Sequence, residues 1–159
     1  MARSRSKSVE AIEMLKQDHD KVEQAFKAFE KADHADMAAC RPLIMAVCQD
    51  LKVHSTLEEE IFYPPVRDVM EDDDIMNQAL VEHETAKMLI EQLENMQEDD
   101  PNFHATFTVL GEYVRHHVKE EEGQMFPAAR KSALDFDSLA ERMRERRREL
   151  LGEMDKAHA

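Results

Sequence analysis

His54 and Glu58 stand four residues apart in the phrase HSTLEEEIFYP, and the same pair returns 63 residues later as His117 and Glu121 in HHVKEEEGQMFP. An imidazole and a carboxylate at that spacing share one helix face, about 6 Å apart along the axis, so both can reach one metal cluster. The repeat extends upstream, where DHD around His19 recurs as EHE around His83. His19 precedes His54 by 35 residues and His83 precedes His117 by 34. The chain therefore reads as two copies of a helix pair, and together the copies offer four imidazoles and two carboxylates.

That donor set suits two metals better than one. Imidazole and carboxylate are borderline to hard ligands, fit for iron or manganese, whereas zinc rarely needs six protein ligands. Glu58 and Glu121 are the natural bridges. If each metal also takes two histidines it has four protein bonds, and a shared oxide or hydroxide makes a fifth. One position per metal is then left for water, dioxygen or peroxide. One histidine on an apolar face is commonly a core residue with a hydrogen-bond partner. Four of them, two with a glutamate in repeat-related register, are hard to explain that way, because a buried unpaired carboxylate costs several kcal/mol.

The elements that must position these groups are helices. Ile12, Leu15, His19, Val22, Phe26 and Phe29 recur at steps of three and four, one face of a helix from about Val9 to Lys31. Leu43, Val47, Leu51, His54, Glu58 and Ile61 form a second stripe, with Pro42 near its start and the Pro64–Pro65 pair expected to end it. After the acidic turn EDDD, a third stripe reads Met76, Leu80, His83, Ala86, Ile90, Leu93 and Met96. Asp100 and Pro101 suggest the cap and first turn of a fourth helix, whose face is Phe103, Phe107, Leu110, Val114, His117 and Glu121. Gly123 is expected to loosen this helix and Pro127 to stop it.

His116 also has a glutamate four residues on, Glu120. Two registers choose His117 instead: it lies ten residues before Pro127, as His54 lies ten before Pro64, and it continues the inward stripe from which His116 is turned by about 100°. Glu59 and Glu122 remain as neighbouring alternatives for the carboxylates. Glu23, four after His19, has Lys87 as its repeat partner and is a weak candidate. Asp50 and Tyr113 share the slot four before His54 and His117, from where either could approach the cluster. His34, His104 and His158 fall off the stripes and are read as solvated.

The fold expected is all-α, an antiparallel up-down four-helix bundle over 9–132. It follows a basic tail, 1–8, and precedes an accessory C-terminal helix, 133–159, packed outside the bundle or at a subunit contact that allows a homodimer. Ser138 and Glu141 read as a capping box for that last helix, and Leu139, Met143, Leu150 and Met154 as its apolar side. With three Gly, no Trp and 35% charged residues in 159, the composition favours helix. A formal charge of −14 works against nucleic acid and anionic membrane as partners. Cys40 and Cys48, eight apart, match neither a redox pair nor a zinc half-site and read as ordinary thiols. No apolar run is long enough to span a bilayer and no signal peptide is legible, so a cytoplasmic location is the default.

His19, HSTLE at His54 to Glu58, His83 and HVKEE at His117 to Glu121 resemble the hemerythrin-like, or HHE cation-binding, family, with the likeness running from Val9 to about Pro127. The resemblance implies a non-haem di-iron centre and a link to dioxygen, iron or oxidant handling. By position, His19 and His54 would serve one iron and His83 and His117 the other, with Glu58 and Glu121 bridging. Two departures stand out. Oxygen-carrying hemerythrins have a further histidine where this chain has Lys87, and they place the last carboxylate five residues after its histidine rather than four. Loss of that histidine should open a position on the second iron, which favours oxidant sensing or peroxide removal over oxygen carriage. Iron storage, reversible oxygen binding and a metal-free helical interaction module are the other readings. Whether the chain is an enzyme is left open by its sequence, since any turnover would be metal chemistry. Ferritin-type bundles are disfavoured, because no glutamate stands three before a histidine.

Overall fold

The computed structural model describes residues 9–157, and every element among them is helical. The expected basic tail 1–8 and His158 lie outside the described residues. Helix α1 (Ala11–Lys31) begins where the Glu10 carboxylate accepts from the amides of Ile12 and Glu13, at 3.2 and 2.8 Å. Helix α2 (Met37–Leu57) is capped in the same way by Asp36. Then come α3 (Tyr63–Val69), α4 (Asp74–Asn95), α5 (Phe103–Glu120), α6 (Phe126–Arg130) and α7 (Phe136–Ala157). Helix α1 packs on α2 and α5, and α4 packs on α5 and α2, which closes the four-helix bundle expected from the stripes.

The prolines behave differently from expectation. Neither Pro64–Pro65 nor Pro127 ends its helix, because a π-helical turn precedes each one, Glu58–Phe62 and Glu121–Met125. The amide of Tyr63 reaches back five residues to the Glu58 carbonyl, and that of Phe126 to the Glu121 carbonyl. This wider register starts a new helical ladder at α3 and α6. A proline in a first turn gives up no bond that the ladder needs. The connection through YPPVRDV is consequently mostly helix, leaving residues 70–73 to reach α4.

Two caps also shift. Helix α5 starts at Phe103, and Asp100 instead accepts from the Asn102 amide in the preceding turn. Helix α7 starts at Phe136 with the Asp135 carboxylate on the Ser138 amide, so Ser138 lies inside the first turn and forms no capping box.

The apolar core divides in two. Near the π-turns, Ile12, Leu15, Leu57, Phe62, Val66, Met76 and Phe126 cluster with Leu139, Ala140, Met143 and Leu150 of α7. Toward the other end Val22, Phe26, Phe29, Ile44, Ile90, Phe103, Phe107 and Leu110 form a second cluster, which includes the buried free thiols Cys40 and Cys48. Gly111 lets α5 approach α1 there, since a Cβ at that position would sit 3.3 Å from the Phe26 ring. His34 and His104 are not simply solvated. They hydrogen-bond to each other at 3.0 Å, and His34 also bonds the Phe29 carbonyl, closing the far end of the bundle. Helix α7 lies along α1, α2 and the first π-turn, with four residues buried in the core.

Candidate metal centre

Between the two apolar clusters, all four helices turn polar side chains inward at one level. His19, His54, Glu58, His83 and Glu121 are buried, the two glutamates to 0% and 1% exposure, and the His117 side chain keeps 11%. The donor atoms form two overlapping groups: His19, His54, Glu58 and Glu121, and His83, His117, Glu58 and Glu121. The Oε1 atom of Glu58 lies 3.0 Å from His54 Nε2 and 3.2 Å from His83 Nε2. The Glu121 carboxylate lies 3.3 Å from His19 Nε2 and 3.1 Å from His117 Nε2. Each carboxylate thus faces one imidazole of each pair, as a bridge between two cations would require.

These close approaches are mostly not hydrogen bonds. Nε2 of His19 and His54, both oxygens of Glu58 and Oε1 of Glu121 are buried without a hydrogen-bond partner among the described residues. The atoms come within about hydrogen-bonding distance yet aim past one another. A buried group left this way costs roughly 1–3 kcal/mol, more if charged, so several converging at one level need a partner that accepts lone pairs from many directions. A metal ion is such a partner, and the donor set fits one in each group.

The opposite nitrogen of each ring is fixed by an acid. His54 Nδ1 meets Asp18 at 2.9 Å, His117 Nδ1 meets Glu82 at 3.2 Å, His19 Nδ1 meets Glu122 at 3.1 Å and His83 Nδ1 meets Glu59 at 3.1 Å. An acceptor on Nδ1 holds the proton there and leaves Nε2 to ligate. Asp18 and Glu82 are the acids of DHD and EHE, which sequence reasoning used only as repeat markers. Glu59 and Glu122, considered as substitute ligands, lie instead behind the imidazoles.

The charges are strongly interdependent. Burial opposes the imidazolium form, yet the facing Glu58 and Asp18 carboxylates outweigh it and raise His54 to about 10. Burial is likewise outweighed at His117 by Glu121 and Glu82, which raise it to about 11. His19 and His83 also shift upward, against burial, through their own carboxylate partners. Burial would raise Glu121, but His117 and His19 hold it well below the usual carboxylate range.

Tyr63 is the residue that the sequence reading missed. Its hydroxyl donates to Glu121 and lies 3.2 and 3.4 Å from Nε2 of His83 and His117. Burial, together with the Glu121 and Glu58 carboxylates, pushes the phenol well above its usual range, so it keeps its proton. The π-turn puts it there. In an α-helix the residue five after Glu58 would point roughly 140° away, whereas the i→i+5 register returns it toward the same face. The signal available was the repeat, since Tyr63 precedes Pro64 as Phe126 precedes Pro127.

Several other candidates point elsewhere. Lys87, in the slot of the additional hemerythrin histidine, turns out to Glu59 at 2.7 Å and Glu84 at 3.3 Å. Glu23 pairs with Arg115 at 2.8 Å and Asp50 with Lys21 at 3.3 Å. His116 is 63% exposed while its neighbour His117 faces inward. Tyr113 makes no hydrogen bond to the cluster among the described residues, but it lines a cavity of about 40 Å³ beside the four histidines, walled by Val22, Leu51, Ala86 and Val114. At about 10–15 Å³ per water-sized centre, that is room for roughly three or four non-hydrogen atoms.

The family model of the hemerythrin HHE cation binding domain matches residues 10–129. A crystal structure of a hemerythrin HHE cation binding domain-containing protein from Mycobacterium kansasii superposes with a TM-score of 0.76, covering 92% of this chain and 90% of that one at 20% identity. That likeness carries the fold. A DNA nickase of Nostoc sp. is 28% identical over 118 residues, which is 74% of this chain and 33% of the nickase. The chain therefore spans about a third of that relative's length.

Proposed function

The chain belongs to the hemerythrin HHE cation-binding domain family, and from that premise we propose that it holds two iron ions and responds to dioxygen or peroxide, as an oxidant sensor or in peroxide removal. The observation that carries the reading is the set of buried, unpartnered nitrogen and oxygen atoms converging from His19, His54, Glu58 and Glu121. His19 and His54 would hold one ion, His83 and His117 the other, and Glu58 and Glu121 both. Two imidazoles and two shared carboxylates per ion suit iron, with manganese acceptable to the same donors. When bound, such a pair of ions supplies electrons and open coordination positions to a small oxidant.

The chain's own residues define the conditions for that chemistry. Asp18, Glu59, Glu82 and Glu122 orient the rings through Nδ1. The apolar walls of the cavity limit water to a few sites beside the histidines and admit a ligand of diatomic or peroxide size. Tyr63 Oη holds a proton beside Nε2 of His83 and His117, and Glu121 accepts from it. Among the described residues no helix is long and apolar enough to cross a membrane. The segment matched in the nickase is a third of that protein, and a formal charge of −14 on this chain opposes a polyanionic partner.

Metal analysis combined with an optical spectrum tests the reading, taken after anaerobic reduction, after air and after peroxide. Two irons per chain and a spectrum that changes with peroxide are expected. An iron-loaded protein that neither consumes peroxide nor changes oxidation state with it ends the oxidant reading. One zinc, or no metal, points to a structural or interaction module instead.

A further inference from the structure

Outside the buried centre, three more donors gather on the outer face of α4 and α5. His116 Nε2 lies 3.1 Å from Glu120 Oε1 and 3.8 Å from Glu82 Oε2, and donor atoms of all three fall within 4.8 Å of one another. They line an open groove between the two helices, with Asp74 near by. Donors about 2.1 Å from one transition-metal ion stand roughly 3 Å apart, so the His116–Glu120 spacing already matches, and a small rotation of Glu82 brings its oxygen in.

The internal repeat supplies an independent observation. Asp18 and Glu82 do the same work in the two halves, each holding Nδ1 of a histidine. Asp18 has a cation on its other side, Arg147 of α7, at 2.6 Å. Among the described residues Glu82 has no lysine or arginine within pairing distance; its second oxygen faces His116. The positions equivalent to His116 and Glu120 in the first half are Val53 and Leu57, apolar residues buried in the cluster to which α7 contributes. One face is thus covered and neutralised by a helix bearing an arginine. The matching face is open and bears an imidazole and a second carboxylate.

We propose that Glu82, His116 and Glu120 form a surface site for a divalent transition-metal ion, which shares Glu82 with the buried centre and occupies the electrostatic place that Arg147 fills in the other half. One imidazole and two carboxylates in an open groove leave the remaining positions to water, so the ion exchanges readily with solvent.

Cobalt(II) is a suitable probe, because its ligand-field absorption reports coordination directly. Titrated into the iron-loaded protein and followed by absorbance and calorimetry, it should bind one equivalent beyond the buried centre. His116→Ala should abolish that equivalent, and Glu120→Gln should weaken it about tenfold or more. His104→Ala, far from the groove, should leave it unchanged. Both substitutions in the groove are at its surface, and circular dichroism checks that helix content is kept. The proposal is overturned if the wild-type protein takes up no additional cobalt, or if His116→Ala binds it with the same stoichiometry and affinity. The difference between wild type and His116→Ala isolates this site whatever the buried centre holds, so its failure is distinguishable from failure of the di-iron reading.

Discussion

The two halves of the centre are near twins in their donors and differ in what surrounds them. His19 and His54 pack edge to face with centroids 4.9 Å apart and planes at 62°, and His83 and His117 repeat this at 4.9 Å and 61°. Each half draws one aromatic ring from the residue that follows the π-turn of the other: Phe126 stacks on His19 at 6.0 Å, and Tyr63 on His83 at 5.3 Å. Phe126 is apolar, whereas Tyr63 brings a hydroxyl into the cluster. The repeat therefore preserves the donor groups that could hold a metal and varies the ring beside them. A cation beside His19 and His54 would meet a plain ring, and one beside His83 and His117 would meet a proton donor.

If the halves are truly joined through shared carboxylates, breaking one bridge must empty both. Glu58→Ala is expected to reduce bound iron from two per chain to none, measured after desalting, with the bundle still helical. Retention of one tightly held iron would show that the halves bind independently. The effect of pH should be nearly as large and common to both halves. In the metal-free fold His54 and His117 are raised to about 10 and about 11 from a usual 6.5. Their contribution to metal-free stability is therefore complete below about pH 6.5 and disappears as pH rises through about 10 to 11. A metal needs a bare Nε2 and must displace those protons, so apparent affinity should rise with pH through that window, about tenfold per unit for each proton displaced. Proton release measured on metal uptake at pH 8 checks the sign, and uptake without release would contradict it.

The donor set was legible because it obeys the α-helical period: His19, His54, His83 and His117 all fall on apolar stripes, with Glu58 and Glu121 one turn on. What lay outside that period was not. Pro64 and Pro127 read as stops because an α-helical ladder cannot pass them, and only the π-turns reveal that the chain continues and presents Tyr63. Asp18 and Glu82, one residue before inward histidines, point some 100° away from their own helix's inward line. Their partners, His54 and His117, belong to the neighbouring helix, and a single helical stripe contains no information about which side chains meet across an interface. The cover over one half is hidden for the same reason: nothing local in RMRERRRE says that Arg147 will reach Asp18.

Exchanging the two rings sharpens the comparison. Tyr63→Phe should make the halves alike, weakening metal at His83 and His117 by about tenfold, the lower end for a group acting behind the ligands. It should also slow the response of the iron-loaded protein to peroxide, by removing the proton held beside His83 and His117. Phe126→Tyr should add a second such hydroxyl beside His19. If neither exchange alters the spectrum or the peroxide response, the difference between the rings has no chemical consequence.

The smallest effect concerns the cover. Arg147 donates to the same Asp18 oxygen that faces His54 Nδ1, at 2.6 and 2.9 Å. Asp18 is the direct partner, so Asp18→Asn should weaken metal at His19 and His54 by roughly tenfold or more. Arg147→Gln leaves that carboxylate in place and removes only its outer cation. Both partners keep some solvent contact, so the expected loss is about 1 kcal/mol or less of stability and about threefold in affinity, with stoichiometry unchanged. Thermal unfolding and metal titration of the two variants side by side separate the roles. Equal losses would mean that Asp18 cannot orient His54 unless α7 is docked, and the C-terminal helix would then belong to the metal centre as much as the four helices that carry its ligands.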